Sequence, residues 1–345
     1  MKTASPLFRT LALVAFCAGG SLWIQAQSPT QAQEPQEIDV IRTSTSLVTV
    51  PVSVMDRQGR FIPDLSQGQF HLYENGIEQE IAFFENAEKP FTVTLLLDTS
   101  DSAKFKLNEI QDAAIAFVEQ LRTDDRVIVA AFDKQVTILA EATSDRRVLD
   151  EAICRARTGG GTGLYNAIDV IVNQRLSRIR GRKALVLFTD GVDTSSLSAT
   201  YQGTLHAAEE LDALVYAIRY NTYDDVTDDA TRGLAHGQAA YSNLRTANGE
   251  RLDIAYARAD RYLRLLTDKS GGRFYYADTL RHLSEVFTQI AKELREQYSL
   301  GYYPKNAGPG ADQRLIKVGV NVPGVVVRAR KSYLYKPSPG NAGKL

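Results

Sequence analysis

The 345-residue chain carries 40 Lys and Arg against 41 Asp and Glu, 44% hydrophobic residues and only two cysteines. These figures exclude a disulfide scaffold, a coiled coil and a low-complexity tail. A formal charge of −1 leaves no basic footprint for nucleic acid, and the length suggests about two domains with a sizeable core.

Residues 1–26 read as a secretory signal peptide. Lys2 and Arg9 precede an apolar stretch over 11–24, broken by Gly19, Gly20 and Ser21, and small Ala26 is suited to the last position before cleavage. The stretch is shorter than the roughly 20 apolar residues that span a bilayer. No later segment is apolar for longer, so the mature chain is expected to be exported, periplasmic or secreted, without a transmembrane segment. Cleavage leaves a net charge of −3 and one cysteine, Cys154, which is expected to be a small packed side chain. Residues 27–37, rich in Gln, Pro and Ser, read as a disordered lead-in.

Residues 38–90 have a strand pattern. Val48, Val50, Val52 and Val54 alternate with Thr49, Pro51 and Ser53, and Asn75-Gly76 between two apolar runs is a hairpin signal, because both residues tolerate positive φ. From 91 to 297 buried strands at 93–97, 127–131, 184–188, 214–218 and 274–276 alternate with helical periodicity at 107–121, 145–157, 164–179, 205–211, 259–270 and 282–295. That alternation predicts an α/β domain with a doubly wound, mostly parallel sheet. The β pattern returns over 298–336, and 337–345 reads as a flexible tail. Each flank is small for a core of its own, so the two are expected to pair into one antiparallel β-sandwich with the α/β domain inserted between them. Tyr298, Tyr302 and Tyr303 are expected in the sandwich core, and Arg328, Arg330 and Lys331 on a solvated face.

Three segments bring chemistry to one edge of the predicted sheet. The strand at 92–97 ends in Asp98-Thr99-Ser100-Asp101-Ser102, the loop Gly159-Gly160-Gly161-Thr162-Gly163 precedes a helix, and the strand at 184–188 ends in Thr189-Asp190-Gly191. Ligands of such sheets bind at the carboxyl ends of the strands. Two carboxylates and three hydroxyls suit a hard divalent cation such as Mg2+, with Mn2+ or Ca2+ as alternatives. Neutral direct ligands would leave the ion electrophilic, so that a ligand carboxylate completes its shell.

These residues resemble the metal-ion-dependent adhesion site of von Willebrand factor type A domains, over about 92–297. The flanks, with Gln-Tyr-Ser-Leu-Gly-Tyr-Tyr-Pro and Val-Arg-Ala-Arg-Lys-Ser-Tyr, resemble exported bacterial proteins related to that domain. The resemblance implies that Ser100 and Ser102 bind the metal directly. It implies that Thr162, Asp98 and Asp190 bind directly or through water. It further implies binding of a partner protein that presents an Asp or Glu carboxylate, and a shift of the last helix, 282–297, that couples the site to the sandwich.

Rival readings are weaker. The glycine run is followed by no Lys-Ser or Lys-Thr, as a phosphate-binding loop would need. A phosphatase nucleophile at Asp98 would want a second Asp where Ser100 stands. His71, His206, His236 and His282 show no metal-ligand spacing. The expected protein is a non-enzymatic binding module, with an envelope scaffold that does not use the metal as the alternative and a metal-dependent hydrolase a distant one. Residues 221–258, with Asp224, Asp225, Asp228 and Asp229, form a long connection that either caps the metal edge or is a solvated excursion.

Overall fold

The computed structural model describes residues 47–86, 89–231, 244–277, 280–305 and 312–335. The signal peptide, the lead-in, His236 and the tail lie outside the described residues. The chain opens with strands β1 (Val48–Asp56), β2 (Phe70–Glu74), β3 (Ile77–Gln79) and β4 (Ile81–Glu85). The β2–β3 hairpin turns at Asn75 and Gly76, with φ of 48° and 81°. Both central residues are left-handed, the type I′ geometry whose twist matches that of the flanking strands.

An α/β layer structure follows. Its elements are β5 (Thr92–Asp98), α1 (Leu107–Glu119), β6 (Arg126–Phe132), β7 (Val136–Thr143), α2 (Arg146–Cys154), α3 (Leu164–Val170, continued by a π-helical turn over Ile171–Arg175), β8 (Lys183–Thr189), α4 (Tyr201–Glu210), β9 (Leu214–Tyr220), α5 (Tyr223–Thr231), α6 (Leu252–Ser270), β10 (Arg273–Ala277) and α7 (Leu280–Arg295). The chain closes with β11 (Tyr298–Tyr302), β12 (Asp312–Val320), β13 (Val325–Ala329) and β14 (Ser332–Tyr335).

The six-stranded sheet has the order β10-β9-β8-β5-β6-β7, parallel except for the β6–β7 pair. Every residue of β5 and β8 is buried, because both are central strands with a helical layer on each face. Alternation divides the core. Val93, Leu95, Val127, Val129 and Val186 face α1, α2 and α7, whereas Leu96, Ala130, Leu185 and Leu187 face α3, α4 and α6. The α1 stripe Ile110, Ala113, Ala114, Phe117 and Val118 has the helical period this burial requires. β6 and β8 lie on opposite sides of β5, so the switch in strand order falls between β5 and β8.

The expected sandwich is formed from both ends of the chain. One sheet has the order β13-β1-β11-β4 and the other β14-β12-β2-β3, with Val50 opposite Leu300, Val54 opposite Val327 and Leu72 opposite Val318. Their inner faces share one core that includes Val50, Val52, Val54, Leu72, Tyr298 and Tyr302. Tyr303 is exposed instead. Buried Glu74 accepts from Tyr302 (2.6 Å), Tyr333 (2.7 Å) and Arg314 (2.7 Å), so both of its carboxylate oxygens are hydrogen-bonded.

Several expectations are corrected. Arg330 is not on a solvated face. It is 3% exposed and donates to the carbonyls of Thr49 (2.7 Å), Glu209 (3.2 Å) and Leu211 (3.4 Å), because this end of the sandwich lies against α4 and the start of β9. Arg328 is half-buried, donates to the Gly271 carbonyl at 3.1 Å and pairs with the buried Glu293 of α7. Cys154 is exposed, since the buried stripe of α2 runs through Leu149, Ala152 and Ile153. Strands β7 and β14 were not expected, and α6 begins at Leu252 rather than at 259.

Glu209 of α4 ties the two parts together. Its carboxylate accepts from Lys269 (2.6 Å), Gln313 (2.6 Å) and Ser332. Burial alone would raise its pKa, but these donors, Lys269 foremost, outweigh burial and hold it below its ordinary 4.5. A carboxyl depressed in the folded state stabilises above its unfolded pKa, and that stabilisation is lost as pH falls through the folded value. Urea titrations between about pH 5 and pH 3 are therefore expected to show a smaller fall in midpoint for Glu209→Gln than for the wild type, from a lower starting point.

Candidate functional site

The parallel register β5–β8 places Leu97 beside Phe188, so Asp98 ends one strand next to Thr189 and Asp190 on its neighbour. Adjacent strands lie about 4.8 Å apart, which brings two carboxylates together at the switch point. Both are fully buried. Burial first, and the charge of Asp190 second, push the Asp98 carboxyl well above its ordinary range. Each carboxylate is oriented by its own turn. Asp98 Oδ1 accepts from the Ser100 N–H at 2.9 Å and Oδ2 from the Thr189 hydroxyl at 2.5 Å, while Asp190 Oδ1 accepts from the Val192 N–H at 2.9 Å. Among the described residues neither carboxylate has a Lys, Arg or His ion pair.

The hydroxyls come to the same edge. Ser100 and Ser102 stand with their oxygens 3.2 Å apart at the entry to a short 3-10 turn, Asp101–Phe105. Thr162 is gripped by the loop after β8. Its N–H donates to the Thr194 hydroxyl, and its carbonyl accepts from the N–H groups of Thr194 and Ser195, all at 2.9 Å. Gly161 makes that approach possible. It has φ +75°, and a Cβ there would stand 2.5 Å from Ser195 Oγ. Ser102, Thr162 and Asp190 line one cleft of about 320 Å3. The fold thus brings Asp98, Ser100, Ser102, Thr162 and Asp190 to one edge. Among the described residues no three His, Cys, Asp or Glu side chains converge as a metal-holding group, so the donor set here is two carboxylates with three hydroxyls, hard oxygens of the kind Mg2+ takes.

Sequence reasoning missed the residues that orient this set. Thr189 donates to Asp98 while accepting from the Gly191 N–H at 2.9 Å. Thr222, two residues beyond β9, donates to Asp190 Oδ2 at 2.7 Å and accepts from the Tyr256 hydroxyl at 2.6 Å. Asn166, one turn into α3, accepts at one oxygen from the N–H groups of Ser198 (3.2 Å) and Ala199 (2.9 Å) and from the Ser198 hydroxyl (3.0 Å), which fixes the loop that holds Thr162. Thr222 carried the same signal as Asp98 and Asp190, a polar side chain just past a buried strand. Tyr256 and Asn166 carried none, because their role depends on partners 34 and 32 positions away.

Residues 93–192 match the family model of the von Willebrand factor type A domain. Over these residues the α/β part of this chain is similar to a von Willebrand factor type A domain. Similar solved structures include a von Willebrand factor type A protein from Catenulispora acidiphila, with 9% identity over 84% of this chain and 72% of that one and a TM-score of 0.46. The domain from the type V pili tip protein Mfa5 of Porphyromonas gingivalis has 13% identity over 59% and 94%, with a TM-score of 0.41. Proximal thread matrix protein 1 from mussel byssus, described with a zinc-occupied MIDAS motif, has 12% identity over 64% and 49%, with a TM-score of 0.45. No curated protein matches the chain. No helix among the described residues is long and apolar enough to cross a membrane.

Thr222→Val keeps the shape of the side chain but removes the donor to Asp190 and leaves the Tyr256 hydroxyl buried without its acceptor. Urea unfolding in EDTA is expected to show a loss of about 1–3 kcal/mol, and Thr222→Ser, which restores the hydroxyl, is expected to recover most of it.

Proposed function

We propose that this chain is an exported protein-binding module that holds a divalent cation on Asp98, Ser100, Ser102, Thr162 and Asp190. In this reading Mg2+ is the preferred ion, and the partner protein presents an Asp or Glu carboxylate to it. The observation that carries the proposal is the pair of buried carboxylates at the ends of adjacent strands, closed in by three hydroxyls. Two like charges out of water repel each other at considerable cost, and a divalent cation between them turns that cost into attraction. When bound, the cation supplies a Lewis-acidic position for an anionic ligand.

The side chains divide the work. Asp98 and Asp190 supply the negative charge, each held in place by a backbone N–H and a threonine hydroxyl. Ser100, Ser102 and Thr162 add neutral oxygens, so charge at the site is not over-neutralised and an incoming carboxylate is still attracted. The Thr194 and Ser195 loop fixes Thr162 through its backbone, leaving its side chain available. The family match supports a binding role over catalysis. Export rests on the character of residues 1–26.

Thermal unfolding tests the cation site. Wild-type protein in Mg2+ at about 100 times its dissociation constant is expected to gain about 2.7 kcal/mol over protein in EDTA, or roughly 5–10 °C for a domain of this size. Asp190→Asn is expected to melt at or above the wild-type temperature in EDTA, because a repulsion is relieved, and to gain nothing from Mg2+. Equal Mg2+ responses in the two proteins would overturn the proposal and favour the scaffold reading. For the partner, protein retained on the immobilised chain in Mg2+ is expected to be released by EDTA and by an Asp-containing competitor peptide, but not by its Asn counterpart.

A further inference from the structure

Asp98 and Asp190 are held in different ways. The support of Asp98 stays within the turns of the site: its oxygens accept from the Ser100 N–H and from Thr189, and Thr189 accepts in turn from the Gly191 N–H. Asp190 accepts from the Val192 N–H of its own turn, but the rest of its support comes from α6. Thr222 donates to Asp190 Oδ2 at 2.7 Å and meets the Tyr256 hydroxyl of α6 at 2.6 Å. Arg219 Nε donates to the Asp190 carbonyl at 3.3 Å, and its Nη1 donates to Asp260 of α6, also at 3.3 Å. Gly191, at φ +85°, packs so closely on the helix that a Cβ there would stand 2.9 Å from Leu263 Cδ1 and 3.1 Å from Ala259 Cβ.

A threonine hydroxyl has one proton. Thr222 gives it to Asp190, which as a carboxylate can only accept, so Tyr256 is the donor to Thr222. The two bonds therefore run in one direction, from α6 to the carboxylate, and in a buried setting each polarises the other. Thr222 is fully buried and Tyr256 nearly so. The Tyr256 ring is fixed by packing: it meets the Tyr223 ring edge-on at 5.3 Å and shares a small core with Val192, Leu252, Ala255 and Ala259. Its hydroxyl is thus delivered by a 19-residue helix rather than by a loop. With one oxygen on the Val192 N–H and the other on Thr222, the Asp190 carboxylate cannot turn without breaking a bond.

A carboxylate held this way discriminates between cations. Mg2+ takes oxygen ligands at about 2.0–2.1 Å in near-ideal octahedral geometry, whereas Ca2+ takes about six to eight at roughly 2.3–2.6 Å in flexible arrangements. Fixed oxygens suit the first ion and resist the second. We infer that Tyr256 is a positioning residue which, through Thr222, holds Asp190 in place for Mg2+ and so makes the site prefer Mg2+ to Ca2+. This rests on the cation-site reading above and adds to it a residue, outside the five, on which the choice of ion depends.

Isothermal titration calorimetry of the protein with MgCl2 and with CaCl2 tests this. Tyr256→Phe keeps the ring and loses the hydroxyl. It is expected to weaken Mg2+ by about three- to tenfold, the effect of one buried hydrogen bond, and to change Ca2+ by less than about twofold. Tyr262→Phe is the control, because it also removes a buried phenol from α6, one whose partner is Thr204 of α4 at 2.7 Å rather than Thr222. It is expected to lower the melting temperature and to leave the ratio of Mg2+ to Ca2+ affinity unchanged. Because Tyr256 acts through Thr222, adding Tyr256→Phe to Thr222→Val is expected to weaken Mg2+ no further than Thr222→Val alone. Unchanged Mg2+ affinity or equal loss of both ions in Tyr256→Phe, the same change of ratio in both phenylalanine variants, or additive losses in the double variant overturns the inference and leaves the cation site in place. A wild-type protein that takes up neither ion overturns the cation-site reading itself.

Discussion

Two carboxylates buried side by side impose the central constraint on this fold. Asp98 and Asp190 end neighbouring strands of a sheet whose order reverses between them. A parallel sheet with helices on both faces leaves its carboxyl edge as the one place where polar groups from several strands converge. The mutual repulsion of the two groups has to be countered by local structure. Each accepts one backbone N–H from its own turn and one hydroxyl from a threonine. The positive φ of Gly161 and the grip of the Thr194 and Ser195 loop on Thr162 then fit a third segment against them. Much of the irregular backbone at this edge follows from holding those two groups in position.

What could be read in the sequence, and what could not, follows from the range of the interactions. Buried strands such as β5 and β8 are continuous apolar runs, so their ends and the residues just past them are local facts. The convergence of Asp98, Ser100 and Asp190 on one edge was legible for that reason. Strand β7 was not, although Val136, Ile138 and Ala140 alternate, because it is a half-exposed edge strand that follows β6 after only a short turn at Asp133-Lys134-Gln135. The start of α6 escaped because Arg251 at its N-cap makes no side-chain cap bond, so no Ser, Thr or Asp marks the boundary. Arg330 escaped for the opposite reason. Alternation correctly assigns it to the face away from the sandwich core, but alternation cannot say whether that face meets water or another layer.

That second layer gives the sandwich its role. Because β1 pairs with β11 and β13, and β2 with β12, the closed sandwich brings segments from before and after the α/β domain together. The joint between them is charged as well as apolar. Glu293 of α7, with no exposed side-chain surface, accepts from the Ser53 hydroxyl at 2.9 Å and pairs with Arg328, both from the sandwich. Glu209 of α4 is held by Gln313 and Ser332 from the other end of the chain. Buried ionic contacts of this kind contribute little net stability against an apolar alternative, but a broken one is costly. Losing either partner would leave a buried charge uncompensated at the joint.

The same logic separates the small cluster beside Asp190 from the rest of the molecule. The two cores of the sheet are large and shared among many elements, whereas the cluster around Val192, Leu252 and Tyr256 is small and served by α5 and the first turns of α6. Its attachment to the turn after β5 is by ion pairs that are 29–45% exposed on each side. Exposed pairs contribute about 0–1 kcal/mol each, less than the buried bonds by which Thr222 and Tyr256 reach Asp190. The base of that cluster, bonded to Asp190 through Thr222 and Tyr256, therefore also helps to keep one of the two carboxylates in place.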